Sequence, residues 1–575
     1  MNWKIKENKK DLKTDDKNSR PFSLHPVVLK ILAQRGITGS DEIKSFIFPD
    51  YDKGVHSPFL FEKMEKAMER LKKIDRKKEK ILVFGDYDAD GITSALIAKK
   101  SLEEAGFETF VYIPHKEKEG YGLNRKAMEK FLEKGVRLVV TTDCGIANKK
   151  EIEDMTGRGV DFIVTDHHHI PPEIPDAIAI INPKMKDSGY PFEDLSGAGV
   201  SFKFAQAVYE TFIPEKKEQI KWLLDLVAIG TVADLVSLRG ENRILVKFGL
   251  LVLSKTKRVG LQEMFKVGRI LVDENNFPDS QKISFQIAPR INAASRMSHA
   301  EKALFLLAED DRVKARDMAL ELEAQNSSRQ KETQQVVAEA EKIVSNIFKD
   351  RNFIFIANEN FPIGTVGLVA GKLADKFRRP AAILKKGKKT SKGSFRSISQ
   401  INIIENIEKC RDLLLKYGGH SQAAGITIKN ENLEKFYDKM DEIISEEIKE
   451  LDLSPEVEVD MEIFPGDISF GLAEDLKKLE PFGQGNREPV FLMKNLSIKE
   501  LKWLGNGEKH LKLFLQPKNK SPKIFEAIGF SMLEKFGDIK IGETIDLVFN
   551  LGQDEWNGNK KIQMKIIDLK TSKTD

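Results

Sequence analysis

Three short apolar runs each end in groups that bind cations, and this limits the possible fold more than any other feature. Residues 81–84 run into Gly85-Asp86-Tyr87-Asp88-Ala89-Asp90-Gly91. Residues 138–140 lead to Thr141-Thr142-Asp143-Cys144-Gly145, and 162–164 lead through Thr165 to Asp166-His167-His168-His169. Helical spacing at 92–105, 124–134 and 149–156 separates the runs, with further strand signals at 109–113 and 177–181. Strands alternating with helices predict an α/β fold with a parallel, doubly wound sheet. Such a sheet collects ligands outside the carboxyl ends of its strands.

A chain of 575 residues is too long for one core. Residues 1–50 read as a polar segment, loose to about Arg20, then small amphipathic helices. Residues 51–300 form the first α/β domain. Residues 301–349, highly charged and almost free of Gly and Pro, predict a long helical connector. A smaller α/β domain follows at 350–453, and short strand signals with one helix predict a β-barrel at 454–575. At 41% hydrophobic and 32% charged, the composition is that of a soluble globular protein. No apolar run approaches the roughly 20 residues of a membrane helix, so no membrane partner is expected. Two cysteines cannot build a disulfide framework, and the polar start Met1-Asn2-Trp3-Lys4 lacks the apolar stretch of a secretion signal, so a cytoplasmic location is expected. A net charge of +4 neither demands nor excludes nucleic acid.

One helix cap needs one aspartate, whereas Asp86, Asp88 and Asp90 are three; as a plain capping loop the stretch would use Asp90 as N-cap. Three consecutive histidines among nine in the chain are hard to assign to a solvated loop. Imidazole beside carboxylate suits manganese, iron or zinc better than magnesium alone. Adjacent histidines do not easily share one ion, so one would ligate and the next act on substrate. Asp234, in the apolar stretch Gly230-Thr231-Val232-Ala233-Asp234-Leu235-Val236, needs a partner or a cation if buried. Together Asp88, Asp90, Asp143, His167 and Asp234 could hold two divalent ions, a set suited to hydrolysis at phosphorus. Downstream, Gly418-Gly419-His420 reads as a turn or a phosphate cradle. Gly393-Ser394-Phe395-Arg396 places Ser and Arg beside Gly, where they could clasp a terminal phosphate.

With these motifs in hand, the chain resembles the DHH phosphoesterase family, over residues from about Pro26 to Leu569. The four acidic motifs DYDADG, TTDCG, TDHHH and Ala233-Asp234-Leu235-Val236 carry the likeness, and GGH looks like the signature of the DHH-associated domain. Pro481-Phe482-Gly483-Gln484-Gly485-Asn486, with Glu488-Pro489-Val490-Phe491, is similar to the start of an OB-like barrel in the family's single-strand-specific exonucleases. The resemblance implies 5′→3′ degradation of single-stranded DNA to mononucleotides, in DNA repair and recombination, with Mn2+ or Mg2+. It implies Asp88, Asp90, Asp143, His167 and Asp234 as metal ligands, Asp86 and Asp166 as their supports, and His168 at the scissile phosphate. Arg290 would contact phosphate, Ser394 and Arg396 the 5′-terminal phosphate, and His420 a backbone phosphate. Trp503 and Phe514 are candidate stacking residues, with barrel core the stronger reading for Phe514. A single-strand-binding protein and a recombination helicase are possible partners. Two stretches depart from the family pattern: Ala294-Ser295-Arg296, where Gly is usual, and Phe361-Pro362, where Trp-His is common. Cleavage of cyclic dinucleotides or very short oligonucleotides would not need the barrel, and a non-catalytic scaffold would not need every acidic position filled.

Overall fold

The computed structural model describes residues 2–6, 24–115, 118–120, 122–274, 276–349, 351–449, 451, 453–505, 507–518, 522–556 and 559–572. Five parallel strands form the first sheet, in the spatial order Thr109–Tyr112, Lys80–Gly85, Val136–Thr142, Asp161–Thr165, Ala179–Ile181. The chain leaves Lys80–Gly85 toward one edge and returns to its other side at Val136–Thr142. The crevice between those strands is therefore the topological switch point, where α/β sheets bind ligands. Register sets the depth of the groups placed there. Gly85 pairs with Thr142, Thr142 with Thr165, and Thr165 with Ile181. The next residues along each strand, Asp86, Asp143, Asp166 and Asn182, therefore emerge at one level.

A 36-residue helix, Arg312–Ile347, joins this domain to the second. At 1.5 Å per residue it is about 54 Å long. Its buried residues follow one stripe at intervals of three and four. Ala315, Ala319 and Leu322 belong to the first domain's core, and Val336, Ala340 and Val344 to the second domain's core. Between them the stripe turns polar, at Asn326, Arg329 and Thr333. The helix is thus apolar where it is gripped and polar where it crosses between lobes.

The second sheet runs Leu414–His420, Ala423–Lys429, Thr390–Arg396, Ala381–Lys386, Ile354–Asn358, and only the last two strands are parallel. GGH read as a turn or a phosphate cradle, and of these the turn does not form: the stretch ends a strand, with Gly418, Gly419 and His420 paired to Gly425, Ala424 and Ala423. The turn is Ser421-Gln422, and a Cβ at Gly419 would strike the carbonyl of Ala423.

At the C-terminus Phe491–Leu504, His510–Pro517, Phe525–Gly529, Asn559–Thr571 and Thr544–Trp556 close into a barrel, because the first also pairs with the last. The parallel pairing of the third and fourth strands accompanies an OB-like order. The polar start departs from expectation. Asn2–Ile5 is a strand parallel to Glu456–Val459, with Trp3 donating to Asp568 at 2.8 Å and lying under Lys570. The rest of the expected loose start, residues 7–20, lies outside the described residues. Helices Pro26–Gln34 and Ser40–Ile47 share the barrel's core.

This barrel assembly docks on the first α/β domain through cations that meet carbonyls. Arg243, 2% exposed, donates to Leu479 (2.8 Å), Lys478 (3.1 Å) and Phe46 (3.2 Å), and Lys247 to Ile47 (3.2 Å). These acceptors lie at helix C-termini, where the dipole favours positive charge. Arg243→Ala should therefore cost about 3 kcal/mol, from lost charged hydrogen bonds and orphaned carbonyls. Urea unfolding measures the loss, and limited proteolysis should release the barrel earlier.

Candidate metal centre and strand-binding cleft

Each acidic motif reaches the crevice by a different local device. Asp88 caps helix Ala89–Glu104, its Oδ1 accepting from the N–H groups of Asp90 and Gly91 at 3.0 Å. The cap is thus Asp88 rather than Asp90. Asp90 is free to cross to the next helix, Gly197–Phe212, where it accepts from the N–H groups of Gly197 (2.7 Å) and Ala198 (2.9 Å). A carboxylate at a helix N-terminus is favoured by the dipole. Asp143 has φ 60, a conformation uncommon for a non-glycine residue and one that clusters at functional sites. Two glycines make room: a Cβ at Gly197 would collide with Asp143, and one at Gly230 with Asp90. Asp234 ends helix Leu224–Ala233.

His167 Nε2 sits among three carboxylates, 3.1 Å from Asp143, 3.6 Å from Asp234 and 3.9 Å from Asp90. Asp143 Oδ1 and His167 Nε2 are buried, and neither makes a hydrogen bond of acceptable geometry. Asp90, His167 and Asp234 form one set with ligand atoms within 4.8 Å of one another, and Asp86, Asp88 and Asp143 form another. The two sets share no residue. Asp86, expected only as a support, thus brings an oxygen into ligand range. A third set, Asp143, His167 and His168, is weaker, because His168 Nδ1 already meets Asp166 at 2.8 Å.

The electrostatics call for cations. Burial, then Asp234 and Asp88, raises Asp90 well above the usual carboxylate range. Burial, then Asp90 and Asp88, does the same to Asp143. Burial and Asp88 push Asp234 up to about 7. Burial, then His168, pulls His167 down to about 3, leaving a neutral imidazole fit to ligate. Hard oxygens with one imidazole suit Mn2+, and the oxygens suit Mg2+.

Asp166 organises the loop. Its Oδ1 accepts from the backbone of His167 (2.8 Å) and His168 (3.1 Å), and its Oδ2 from that of Ile146 (3.0 Å). Burial, the largest single effect, opposes charge on His168, yet the Asp166 bond together with the charges of Asp166, Asp234 and Asp86 raises its pKa. Sequence reasoning missed three neighbours. Asn182 donates to the His168 carbonyl at 3.0 Å, Lys184 donates to that of His167 at 2.6 Å, and Asn292 accepts from Ala89 N–H at 2.8 Å.

Across the cleft, Ser394 and Arg396 lie against Gly367 in the first turn of helix Val366–Phe377. Arg290, expected at a phosphate, is instead committed to Glu323 (2.5 and 3.3 Å) and the Gln286 carbonyl (2.6 Å). That bidentate pair fixes helix Ala288–Met297 to the connector. Arg296, noted in the sequence only as part of a departure, faces the cleft: burial, then Arg329 and Arg396, lowers its pKa, while Asp88 and Tyr87 raise it. Guanidiniums gathered from three segments at this place have the chemistry to bind an anion. Arg329 was legible as the polar break in the connector's apolar stripe. His420 reaches over from the second domain, its ring centroid 6.4 Å from that of His169.

In the barrel the two stacking candidates exchange places. Leu511, Leu513 and Leu515 point inward, so alternation turns Phe514 outward, with Lys512 and Lys502 5.4 and 5.8 Å from its ring. Trp503 is half-buried against the barrel core.

A parallel sheet with acidic strand ends, facing a second lobe that carries Arg396 across the cleft, defines a metal-dependent phosphoesterase of the DHH class. The description "DHH family, N-terminal domain" matches residues 80–231, "DHHA1 domain" residues 350–446, and "RecJ OB domain" residues 459–568. The chain belongs to the RecJ family. It is 36% identical over 576 residues to the single-stranded-DNA-specific exonuclease RecJ of Bacillus subtilis, covering 100% of this chain and 71% of that protein. It is 30% identical to the RecJ of Haemophilus influenzae, covering 95% and 96%. The structure of Thermus thermophilus RecJ in complex with Mn2+ superposes with a TM-score of 0.83 at 27% identity, covering 100% of this chain and 80% of that one.

Linkage gives a test of the charge argument. A carboxyl whose folded pKa is raised favours folding below its unfolded pKa of about 3.9, and that stability is lost as pH rises through the folded value. Without divalent cations, Asp143→Asn should therefore raise the thermal midpoint. The gain should be largest at neutral pH and vanish toward about pH 4. With Mn2+ the order should reverse, and scanning fluorimetry across pH reads both.

Proposed function

We propose that this chain is a single-stranded-DNA-specific exonuclease that hydrolyses phosphodiester bonds from the 5′ end and releases 5′-mononucleotides. One observation carries the reading: a five-residue ligand set and a separate guanidinium-lined anion pocket face each other across one cleft. Asp88, Asp90, Asp143, His167 and Asp234 are assigned as ligands of two Mn2+ or Mg2+ ions, with Asp86 at the edge of one set and Asp166 as support. Bound there, such ions supply an activated water and offset the charge that develops on phosphate oxygens.

The chain's own groups supply position and protons. Ser394, Arg396 and the first turn around Gly367 hold the terminal 5′-phosphate, and Arg296 bridges it to the ligand set. A pocket for a chain end at fixed reach from the ligands makes the cut terminal rather than internal. His168, oriented by Asp166, whose carboxylate favours the protonated imidazole, is placed to donate to the reacting phosphate. His420 approaches the backbone from the second lobe. The barrel offers Phe514 between two lysines as a stacking and phosphate-binding surface.

Among the described residues no helix is long and apolar enough to cross a membrane. Both cysteines are buried and unpaired, which supports a reducing, cytoplasmic setting. A single-strand-binding protein and a recombination helicase as partners, and a role in repair and recombination, rest on the family likeness.

With Mn2+, 5′-labelled single strands should be digested and matched duplex spared. Asp143→Ala should abolish digestion while strand binding survives, and full activity would remove Asp143 from the mechanism. Arg396→Ala should raise KM for 5′-phosphorylated strands more than for 5′-hydroxyl strands, a comparison made by steady-state kinetics.

A further inference from the structure

Beside the Leu235–Val236 turn, which directly follows Asp234, lies a cavity of about 300 Å3. Val232, Leu235, Phe285 and Phe482 give it apolar walls, and Ser280, Gln281, Ser284, Gln484, Arg487 and Glu488 add polar groups. Its apolar walls are unusually open. Phe285 is 76% exposed and Leu235 68%. Leu235 also has φ 59, a left-handed conformation that a leucine seldom adopts and that concentrates at functional sites. Phe285 belongs to a π-helical turn, Ile283–Ile287, whose terminal isoleucines are fully buried. Such turns are rare and are frequent at functional sites. An open aromatic, a strained open leucine and a π-turn thus meet at one place.

We propose that this cavity holds a nucleobase of the DNA strand, close to the nucleotide being cleaved. The inference rests on the exonuclease reading above and assigns Phe285 and Leu235 as substrate-positioning residues. Leu235 directly follows Asp234, so its Cα lies about 3.8 Å from that of a proposed ligand. The cavity joins this turn to Phe482 and Arg487, in the segment that leads into the barrel strand Phe491–Leu504. Its open aromatic and aliphatic walls suit holding any base by stacking. Arg487, exposed at the margin, suits the adjoining phosphate. The base would act as a bookmark, keeping the strand in register while the terminal nucleotide is cut.

The test uses full-length protein, Mn2+ and 5′-phosphorylated single strands carrying one tetrahydrofuran abasic residue at successive positions. Wild-type protein should pause when the abasic residue reaches a fixed distance from the 5′ end. Phe285→Ala, at an exposed site that should leave the thermal midpoint unchanged, should erase that pause. It should also raise KM about tenfold, as expected for loss of one stacked base, with kcat little altered. Phe285→Trp should restore both. An unchanged pause, or an unchanged KM, in Phe285→Ala overturns the base pocket while leaving the exonuclease reading intact. If unmodified strands are not digested at all, the exonuclease reading fails and the pocket falls with it.

Discussion

Everything in this protein is arranged around carboxylates that repel one another in a crevice with little water. Burial and mutual repulsion raise the pKa values of Asp90, Asp143 and Asp234 there, so cations are needed to hold them charged together. Folding holds them together nonetheless, because each is tied to a rigid element. Asp88 caps one helix, Asp90 accepts from the start of another, and Asp143 and Asp166 leave adjacent strands in register. The parallel sheet supplies the alignment, and Gly197 and Gly230 let two helices close around it. Stability is given up at this point so that an ion-binding geometry exists before ions arrive.

The second consequence is spatial. A metal centre alone cuts phosphodiesters without regard to where the strand ends. Here a 36-residue helix carries a second lobe to the far side of the cleft, and its polar middle adds Arg329 to the cluster around Arg296 and Arg396. The helix is held in apolar cores at both ends, which makes it a spacer of defined length. Arg243 and its neighbours do the comparable task for the barrel, fixing it to the catalytic domain by charged hydrogen bonds to helix ends. Reach from anion pocket to ligand set, and from ligand set to barrel, is thereby built into the architecture.

Much of this was legible from the chain. The strand-end motifs announced themselves because ligand chemistry needs particular residue types at short spacing, and strand periodicity placed them at one sheet edge. The connector was readable from its lack of Gly and Pro. Errors arose where a side chain's role depends on a distant partner. Arg290 was expected at phosphate, but Glu323, thirty-three positions away, takes it. Of the two readings of Phe514, stacking residue or barrel core, core was weighted more heavily, although alternation with Leu513 and Leu515 turns it outward. The polar residues near the N-terminus seemed to promise a loose start, yet Asn2–Ile5 joins a sheet whose other strand begins at Glu456.

By itself, then, the sequence determined the chemistry: which groups could bind ions, that they sit at strand ends, and that several domains follow in a particular order. These are local properties, written in spacing over a few residues. Only the tertiary structure decided which of two nearby arginines faces the cleft, that Asp86 joins a ligand set, that His420 meets His169 across two lobes, and that Phe285 stands open beside Asp234. Those outcomes depend on the register of strands and the length of one helix, which bring together residues from about fifty to two hundred and fifty positions apart. No local pattern encodes such meetings, because each is set by packing among elements that do not adjoin in the chain.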